Sequence, residues 1–241
     1  MSTREAAISQ VGELYRRYQK AEDMKPYAID QGIAIGSAWE REFPGIVLPM
    51  RISRSDVFET LNSNDPQRFR NTYVKAMAWG YGDAGYGPYR AKMIETNFCG
   101  SDKDREIGQF IQRLQDAARA GWKNGYEYLF NNSISDLGPA FATKLLYFCS
   151  QKDDRAPILD SVISKWLWRF GVANDMDYVN STRFKIEQYE LYVNFVDDAL
   201  QKLRATNSVD ENLKDRGFIE YLMFIDQVHY QSTVALPSWI K

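Results

Sequence analysis

The stretch ISDLGPAFATKLLYFC, residues 134–149, decides how this chain folds. It opens with a polar, turn-forming segment that ends at Gly138, and Pro139 then stands where the first residue of a helix is expected. Apolar residues at helical spacing continue from there, which predicts a helix over 139–150. A shorter helical pattern over 124–130 precedes the turn. Together these segments predict a helix–hairpin–helix.

Helical periodicity also dominates on both sides of this stretch. Further helices are predicted over 6–21, 65–79, 102–119, 160–170, 182–205 and 210–228. The sequence has no convincing alternating strand pairs, so the predicted class is all-α. We expect one helical unit over 1–241.

The composition is that of a globular protein, with 44% hydrophobic and 26% charged residues among 241. No apolar run approaches the ~18 residues that a membrane span needs. The first residues lack the apolar core of a secretory signal, so we expect a cytoplasmic protein, without membrane contact and monomeric. The net charge of -2 means that any contact with nucleic acid must use a local basic patch. The stretch 51–92 is the best candidate for that patch, and a solvated helix face is the alternative.

The scarce residue types exclude several chemistries. Two cysteines and one histidine cannot form a disulfide framework, a four-thiolate zinc site, an iron–sulfur cluster or a multi-histidine metal centre. No phosphate-binding glycine motif is present either. We therefore expect no metal and no cofactor, and any catalysis should use carboxylate and amine groups.

Lys144 is unusual because its helical neighbours are apolar. Residues three and four positions away are Ala140, Phe141, Tyr147 and Phe148. Burying an unpaired ammonium is costly, and a partly neutral amine is what a Schiff-base nucleophile requires. The alternative is that the four-carbon stem lies on the apolar face while the ammonium reaches water or a carboxylate. Both interpretations stay open.

Asp160 directly precedes the apolar stripe of the next helix, within the stretch APILDSVI at 156–163. A simple N-cap is the common role of an aspartate at such a position. A carboxylate held by helix amides can also stabilise positive charge that develops on a substrate.

Three features of this chain resemble the helix–hairpin–helix DNA glycosylase superfamily. They are the hairpin, a lysine on the second helix, and a proline followed by an aspartate at the start of the next helix. The similarity is to its 8-oxoguanine DNA glycosylase-like branch, and the motif match covers roughly 134–168. In that family the lysine and the aspartate are catalytic, and they match Lys144 and Asp160. The family's G-V-G-x-K hairpin reads AFATK at 140–144 here, with alanine at both glycine positions. The interval from proline to aspartate is also one residue longer.

The resemblance implies two packed helical lobes with a cleft between them and a catalytic region at about 122–170. It also implies a reaction on double-stranded DNA that contains a modified base. The target nucleotide is extruded from the duplex, Asp160 stabilises the oxocarbenium-like sugar, and Lys144 attacks C1′. The imine then permits β-elimination, which makes the enzyme both a glycosylase and an abasic-site lyase. 8-Oxoguanine is the default substrate that the resemblance implies.

Two further sets of residues are candidates for DNA contact. Around the hairpin, phosphate contacts are expected from Gly138, Ala140, Ala142, Thr143 and Arg90. The glycine-rich segment 79–90 alternates aromatics with glycines and is predicted to be a loop that stacks on an extruded base. The candidate base-pocket residues are Trp79, Tyr81, Tyr86, Tyr89 and Phe148. An aromatic-packed connector is the alternative for the loop, and a core position is the alternative for Phe148.

Two alternative functions remain open at this stage. An anti-phage glycosylase would excise a hypermodified base such as glucosylated hydroxymethylcytosine, which would suit the altered hairpin. A non-catalytic helix–hairpin–helix module would bind DNA without releasing a base, and its binding would survive Lys144→Ala.

Overall fold

The computed structural model describes residues 2–20, 32–99, 103–172, 185–206 and 215–231. Its α-helices in chain order are α1 (Thr3–Lys20), α2 (Ala38–Glu42), α3 (Arg54–Leu61), α4 (Arg68–Tyr81), α5 (Gly87–Cys99), α6 (Lys103–Arg119), α7 (Trp122–Asn131), α8 (Pro139–Cys149), α9 (Ser161–Arg169), α10 (Ile186–Thr206) and α11 (Arg216–Gln231). The sheet in these residues is one antiparallel pair of two-residue strands, β1 (Ile33–Ala34) and β2 (Arg51–Ile52). The all-α prediction is confirmed. Within the described ranges, no helix combines the length and the apolar character that crossing a membrane requires.

The chain forms two compact units. The central unit is Pro26–Gln151, and the terminal unit combines Met1–Lys25 with Lys152–Lys241. The division falls inside the predicted catalytic region at about 122–170. One unit over 1–241 therefore stays a prediction.

Close helix packing holds the predicted helix–hairpin–helix in the central unit. A Cβ at Gly125 of α7 would lie 2.5 Å from Leu146 Cδ1 of α8 and 3.0 Å from Ala118 Cβ of α6. Such distances are shorter than van der Waals contact, so only glycine lets α7 approach both neighbours. The start and end of α8 agree with the sequence prediction.

The terminal unit is held by aromatic and ionic contacts among α1, α9, α10 and α11. Tyr15 of α1 meets Phe218 of α11 edge to face, with ring centroids 6.1 Å apart. Arg216 of α11 donates to both carboxylate oxygens of Asp197 on α10, at 2.6 and 2.8 Å. This bidentate geometry ties the last two helices together.

Three local predictions need correction. The helix expected to start at Asp65 begins at Arg68, because the Asp65 carboxylate accepts the Gln67 amide at 2.8 Å in a turn before the helix. Helix α3 was not predicted, although Ser53 and Asp56 form a capping box at its start. Helix α5 was not predicted either, and the expected starts of α10 and α11 lie outside the described residues.

Candidate active site

The hairpin between α7 and α8 is a tight, well-defined turn. Asp136 adopts the left-handed backbone conformation, with φ 67°, and the Leu137 amide donates to the Ile134 carbonyl at 3.2 Å. Gly138 is the N-cap of α8, and its carbonyl accepts the amides of Phe141 and Ala142, each at 3.0 Å. A Cβ at Gly138 would meet nothing within 4 Å. The hairpin therefore presents an open backbone at the start of α8.

Lys144 lies one and a half turns into α8 with only 7% of its surface exposed. Its ammonium Nζ is 5.4 Å from the centroid of the Phe141 ring, which is cation–π distance. The preceding residue, Thr143, is fully buried and donates its hydroxyl to the Pro139 carbonyl at 2.9 Å. The apolar setting that the helical spacing indicated for Lys144 is therefore present, and Lys144 is no solvated surface lysine.

The C-terminal end of α4 packs against this face of α8. The Tyr81 and Phe141 rings are stacked, with centroids 4.0 Å apart and planes at 22°. Burial raises the pKa of the Tyr81 hydroxyl, the Arg90 guanidinium lowers it, and Tyr86 raises it again, with a net increase. Tyr81 is thus a neutral phenol at physiological pH.

Arg54 is a buried cation beside α8 that the sequence did not single out. Its side chain is 6% exposed, and Nη1 donates to the Tyr147 hydroxyl at 2.9 Å. The guanidinium carbon lies 4.9 Å from the Trp79 ring centroid and 4.8 Å from that of Tyr147. Two aromatic faces thus hold the cation at the start of α3. The capping box at Ser53 could have identified the helix, but no local signal shows that its first residue is buried.

Asp160 of the terminal unit is confirmed as the N-cap of α9. Its Oδ1 accepts the amides of Val162 and Ile163 at 3.0 and 3.1 Å. Because the same oxygen receives both bonds at the positive end of the helix dipole, the negative carboxylate is stabilised there.

Two buried tyrosines of α10 support the segment before Asp160. The Tyr189 hydroxyl donates to the Pro157 carbonyl at 2.7 Å, and the Tyr192 hydroxyl donates to the Ile158 carbonyl at 2.8 Å. Burial, Glu220, Tyr189 and Asp160, in that order, hold the pKa of Tyr192 well above its usual range. The Tyr192 hydroxyl therefore stays a donor, and the segment is supported by α10 as well as by its own cap.

The predicted base-pocket residues occupy three different environments. Tyr86 and Tyr89 are 56% and 57% exposed, while Trp79 and Tyr81 are half-buried. Phe148 is only 1% exposed and packs against Phe58 and Trp79, which favours the core interpretation. The predicted 79–90 loop is also mostly helical: α4 ends at Tyr81 and α5 begins at Gly87, with a short turn between them.

The predicted phosphate contacts cluster around the start of α8. Gly138, Ala140 and Ala142 are half-buried there, whereas Thr143 is buried and bonded within its own helix. Arg90 of α5 lies beside the hairpin, since its Nη2 donates to the Asp136 carbonyl at 3.2 Å. The structure thus brings Arg90 to the hairpin, from a distant part of the sequence.

The cations of the basic stretch 51–92 differ in the groups that hold them. Four of its cations have intramolecular partners: Arg54 with Tyr147, Lys75 with Thr60, and Arg70 and Lys92 with the buried Glu95. Arg70 and Lys92 are ion-paired with Glu95, whereas Arg54 and Lys75 donate to uncharged hydroxyls. Counting charges along the chain cannot show this difference.

Cys149 follows the candidate lysine on α8 but is no nucleophile. Burial raises the pKa of its thiol to about 12, against a smaller lowering from Arg119. The reactive thiolate is therefore absent at physiological pH. A nucleophilic role for Lys144 on the same helix stays a prediction.

Lys144 belongs to the central unit and Asp160 to the terminal unit. A shared reaction site for these two side chains stays a prediction.

Comparison with known proteins points to one family. The family model described as "Putative 8-oxoguanine DNA glycosylase OGG-like protein" matches residues 30–224. The match includes the hairpin, Lys144 and Asp160. Searches of curated proteins and of solved structures returned no match.

Proposed function

Because the chain belongs to the OGG-like family of 8-oxoguanine DNA glycosylases, we propose that it excises a modified base from duplex DNA, with 8-oxoguanine as the default substrate. The observation that carries this proposal is the burial of the Lys144 residue, on the helix that follows an open hairpin. A buried lysine close to aromatic rings is better placed to act as a nucleophile than to keep the protein surface hydrated.

The proposed reaction begins with extrusion of the target nucleotide, since its glycosidic bond is inaccessible inside the duplex. The amine nitrogen of Lys144 forms a bond to C1′ and gives up a proton, while the glycosidic bond breaks with its electron pair leaving on the base, which takes up a proton. The sugar ring opens as the C1′ adduct becomes an imine. Loss of a C2′ proton then expels the 3′ phosphate by β-elimination.

Asp160 has an electrostatic role in this proposal. Positive charge develops on the sugar as the base leaves, and a carboxylate nearby lowers the energy of that state. Support comes from the two helix amides that donate to the Asp160 carboxylate and from the tyrosines that hold the preceding segment. A lysine and an aspartate suffice for this chemistry, so we propose a reaction without metal or cofactor.

We propose that DNA phosphates contact the start of α8. Pro139 has no amide hydrogen, and the amides of Phe141 and Ala142 point inward to the Gly138 carbonyl. The amides of Gly138 and Ala140 are therefore the ones available to a phosphate. Arg90 beside the hairpin adds a positive charge, and the exposed rings of Tyr86 and Tyr89 can stack on unpaired bases.

Borohydride trapping tests the proposal directly. Duplexes carrying 8-oxoguanine, glucosylated hydroxymethylcytosine or an abasic site are incubated with the wild-type protein and sodium borohydride. We expect release of a modified base and a covalent protein–DNA adduct. Lys144→Met should abolish the adduct, because a thioether cannot form an imine.

Lys75→Met is the matched control. Lys75 also lies in the central unit, and its Nζ donates to Thr60 Oγ1 at 2.8 Å. This variant should form the adduct at the wild-type rate. Base release without an adduct would refute the lyase step alone. Release of glucosylated hydroxymethylcytosine instead of 8-oxoguanine would identify that hypermodified base as the substrate. DNA binding that survives Lys144→Met, with no base released from any duplex, would identify a non-catalytic module.

A further inference from the structure

Three consecutive residues at the end of α4 contact α8. The Trp79 ring meets Phe148 edge to face, with centroids 5.4 Å apart at 89°, and the Tyr81 ring stacks on Phe141. Between them lies Gly80, whose backbone faces the same helix. The segment 79–81 thus packs along the face of α8 that carries Lys144.

Gly80 of α4 has no room for a side chain against α8. A Cβ at this position would lie 2.6 Å from Phe141 Cε1 and 3.1 Å from Lys144 Cδ. The first distance is far inside van der Waals contact, so any side chain at position 80 must displace the Phe141 ring. The second distance shows that the lysine stem lies directly on the helix backbone.

The Phe141 ring has little freedom to move away. Its face is stacked against Tyr81 at 4.0 Å, and its centroid is 5.4 Å from Lys144 Nζ. A shift of the ring would break the stack with Tyr81 and remove a surface beside the ammonium. Gly80, Phe141 and Tyr81 therefore form one packed group against the lysine side chain.

We propose that Gly80 is a positioning residue for Lys144: its missing side chain lets the Phe141 ring and the lysine stem settle together against α4, which aims the amine. This inference rests on the proposed function, in which that amine attacks C1′. Lysine has four rotatable side-chain bonds, so its reacting atom depends on such support. Attack requires a distance of about 3–3.5 Å, and a misplacement of about 1 Å can slow a reaction ~10²-fold.

Gly80→Ala tests the inference through single-turnover trapping on abasic-site duplex at saturating DNA. We expect trapping about 30-fold slower than wild type, because the new methyl group displaces Phe141 and Lys144. The dissociation constant for the same DNA should stay within about threefold, since the proposed phosphate contacts are at the start of α8 and at Arg90, and position 80 is not among them. A loss of folding would instead slow trapping and raise the dissociation constant together.

Gly108→Ala is the matched control, because Gly108 is also a helical glycine of the central unit. A Cβ there would have ordinary contacts, at 3.9 Å from Arg70 N and Phe69 Cβ. This variant should trap like wild type. If wild type and Gly108→Ala both fail to trap, the proposed Schiff-base chemistry is wrong and the positioning inference falls with it. If both trap normally and Gly80→Ala traps within about threefold of them, only the positioning inference is overturned.

Rescue by Phe141→Leu separates positioning from general damage. Leucine lacks the Cε1 atom that the new methyl group would meet at 2.6 Å. We expect Gly80→Ala/Phe141→Leu to trap at least about fivefold faster than Gly80→Ala, and the absence of any recovery would overturn the inference.

A second comparison applies if Gly80→Ala fails to fold. The double variant Gly80→Ala/Phe141→Leu is then compared with the single variant Phe141→Leu. The 3.1 Å approach to Lys144 Cδ remains there, so a drop of about threefold or more supports the inference and equal rates overturn it.

Discussion

The surroundings of Lys144 and Asp160 hold their side chains by opposite means. Lys144 lies in packed aromatic groups, with the Phe141 ring on one side and the backbone of Gly80 beneath its stem. Asp160 is held by hydrogen bonds from the first amides of its own helix. A long flexible amine needs neighbours from another helix to be oriented, whereas a short carboxylate can be oriented by its own backbone.

This difference predicts different sensitivities. The lysine should respond to changes in volume nearby, because it is positioned by shape. The aspartate should respond to changes in charge and hydrogen bonding and tolerate changes in nearby volume. Substitutions in the two surroundings test these expectations.

The largest effect is expected for Asp160→Asn. Asparagine caps a helix about as well as aspartate, so the free energy of unfolding should change by less than about 0.5 kcal/mol. Base excision should slow by about 10²-fold or more, because the negative charge near the developing cation is lost. Single-turnover base release and chemical unfolding measure the two quantities. Excision at the wild-type rate would refute the electrostatic role proposed for Asp160.

A smaller effect is expected for Tyr147→Phe near the lysine. The change removes the hydroxyl that accepts from Arg54 Nη1 at 2.9 Å and leaves both cation–π contacts in place. A hydrogen bond to a charged group contributes about 1.5–3 kcal/mol, so the free energy of unfolding should fall by about that much. Tyr86→Phe, at an exposed ring, is the control and should be neutral. Equal stabilities of the two variants would show that packing alone holds Arg54.

The smallest effect separates the cap of Asp160 from its charge. Asp160→Ala should destabilise the protein by about 1 kcal/mol relative to Asp160→Asn, because only asparagine can still accept the helix amides. Ser53→Ala removes the corresponding cap of α3 and should cost a similar amount. The unfolding midpoints of the three variants decide the matter. If Asp160→Ala and Asp160→Asn unfold alike, the tyrosines of α10 hold the segment without the cap.

The helix–hairpin–helix was accessible from the sequence because its signals are local. Gly138 followed by Pro139 marks a helix start wherever the chain goes afterwards, and an aspartate before an apolar stripe marks a cap. The same logic could have identified α3 from Ser53 and Asp56. It misplaced the start of α4, where a turn closed by Asp65 precedes the helix.

The glycine-rich segment 79–90 shows where local signals mislead. Four glycines and a proline in this segment predict a loop, but α4 continues to Tyr81 and α5 begins at Gly87. Gly80 is helical because another helix packs against it, and a glycine selected for close packing is indistinguishable in sequence from one selected for a turn. The spatial neighbours of a glycine reveal which role it has.

By itself, the sequence determined the helical class, the hairpin before α8, the apolar setting of Lys144 and the capping role of Asp160. These features depend on residues within one or two helical turns of each other. Only the tertiary structure decided that Gly80 lies under the lysine and that Arg54 reaches Tyr147 across 93 positions of the chain. Hydrogen bonds that start a helix are local, whereas burial of a charge depends on which distant side chains surround it.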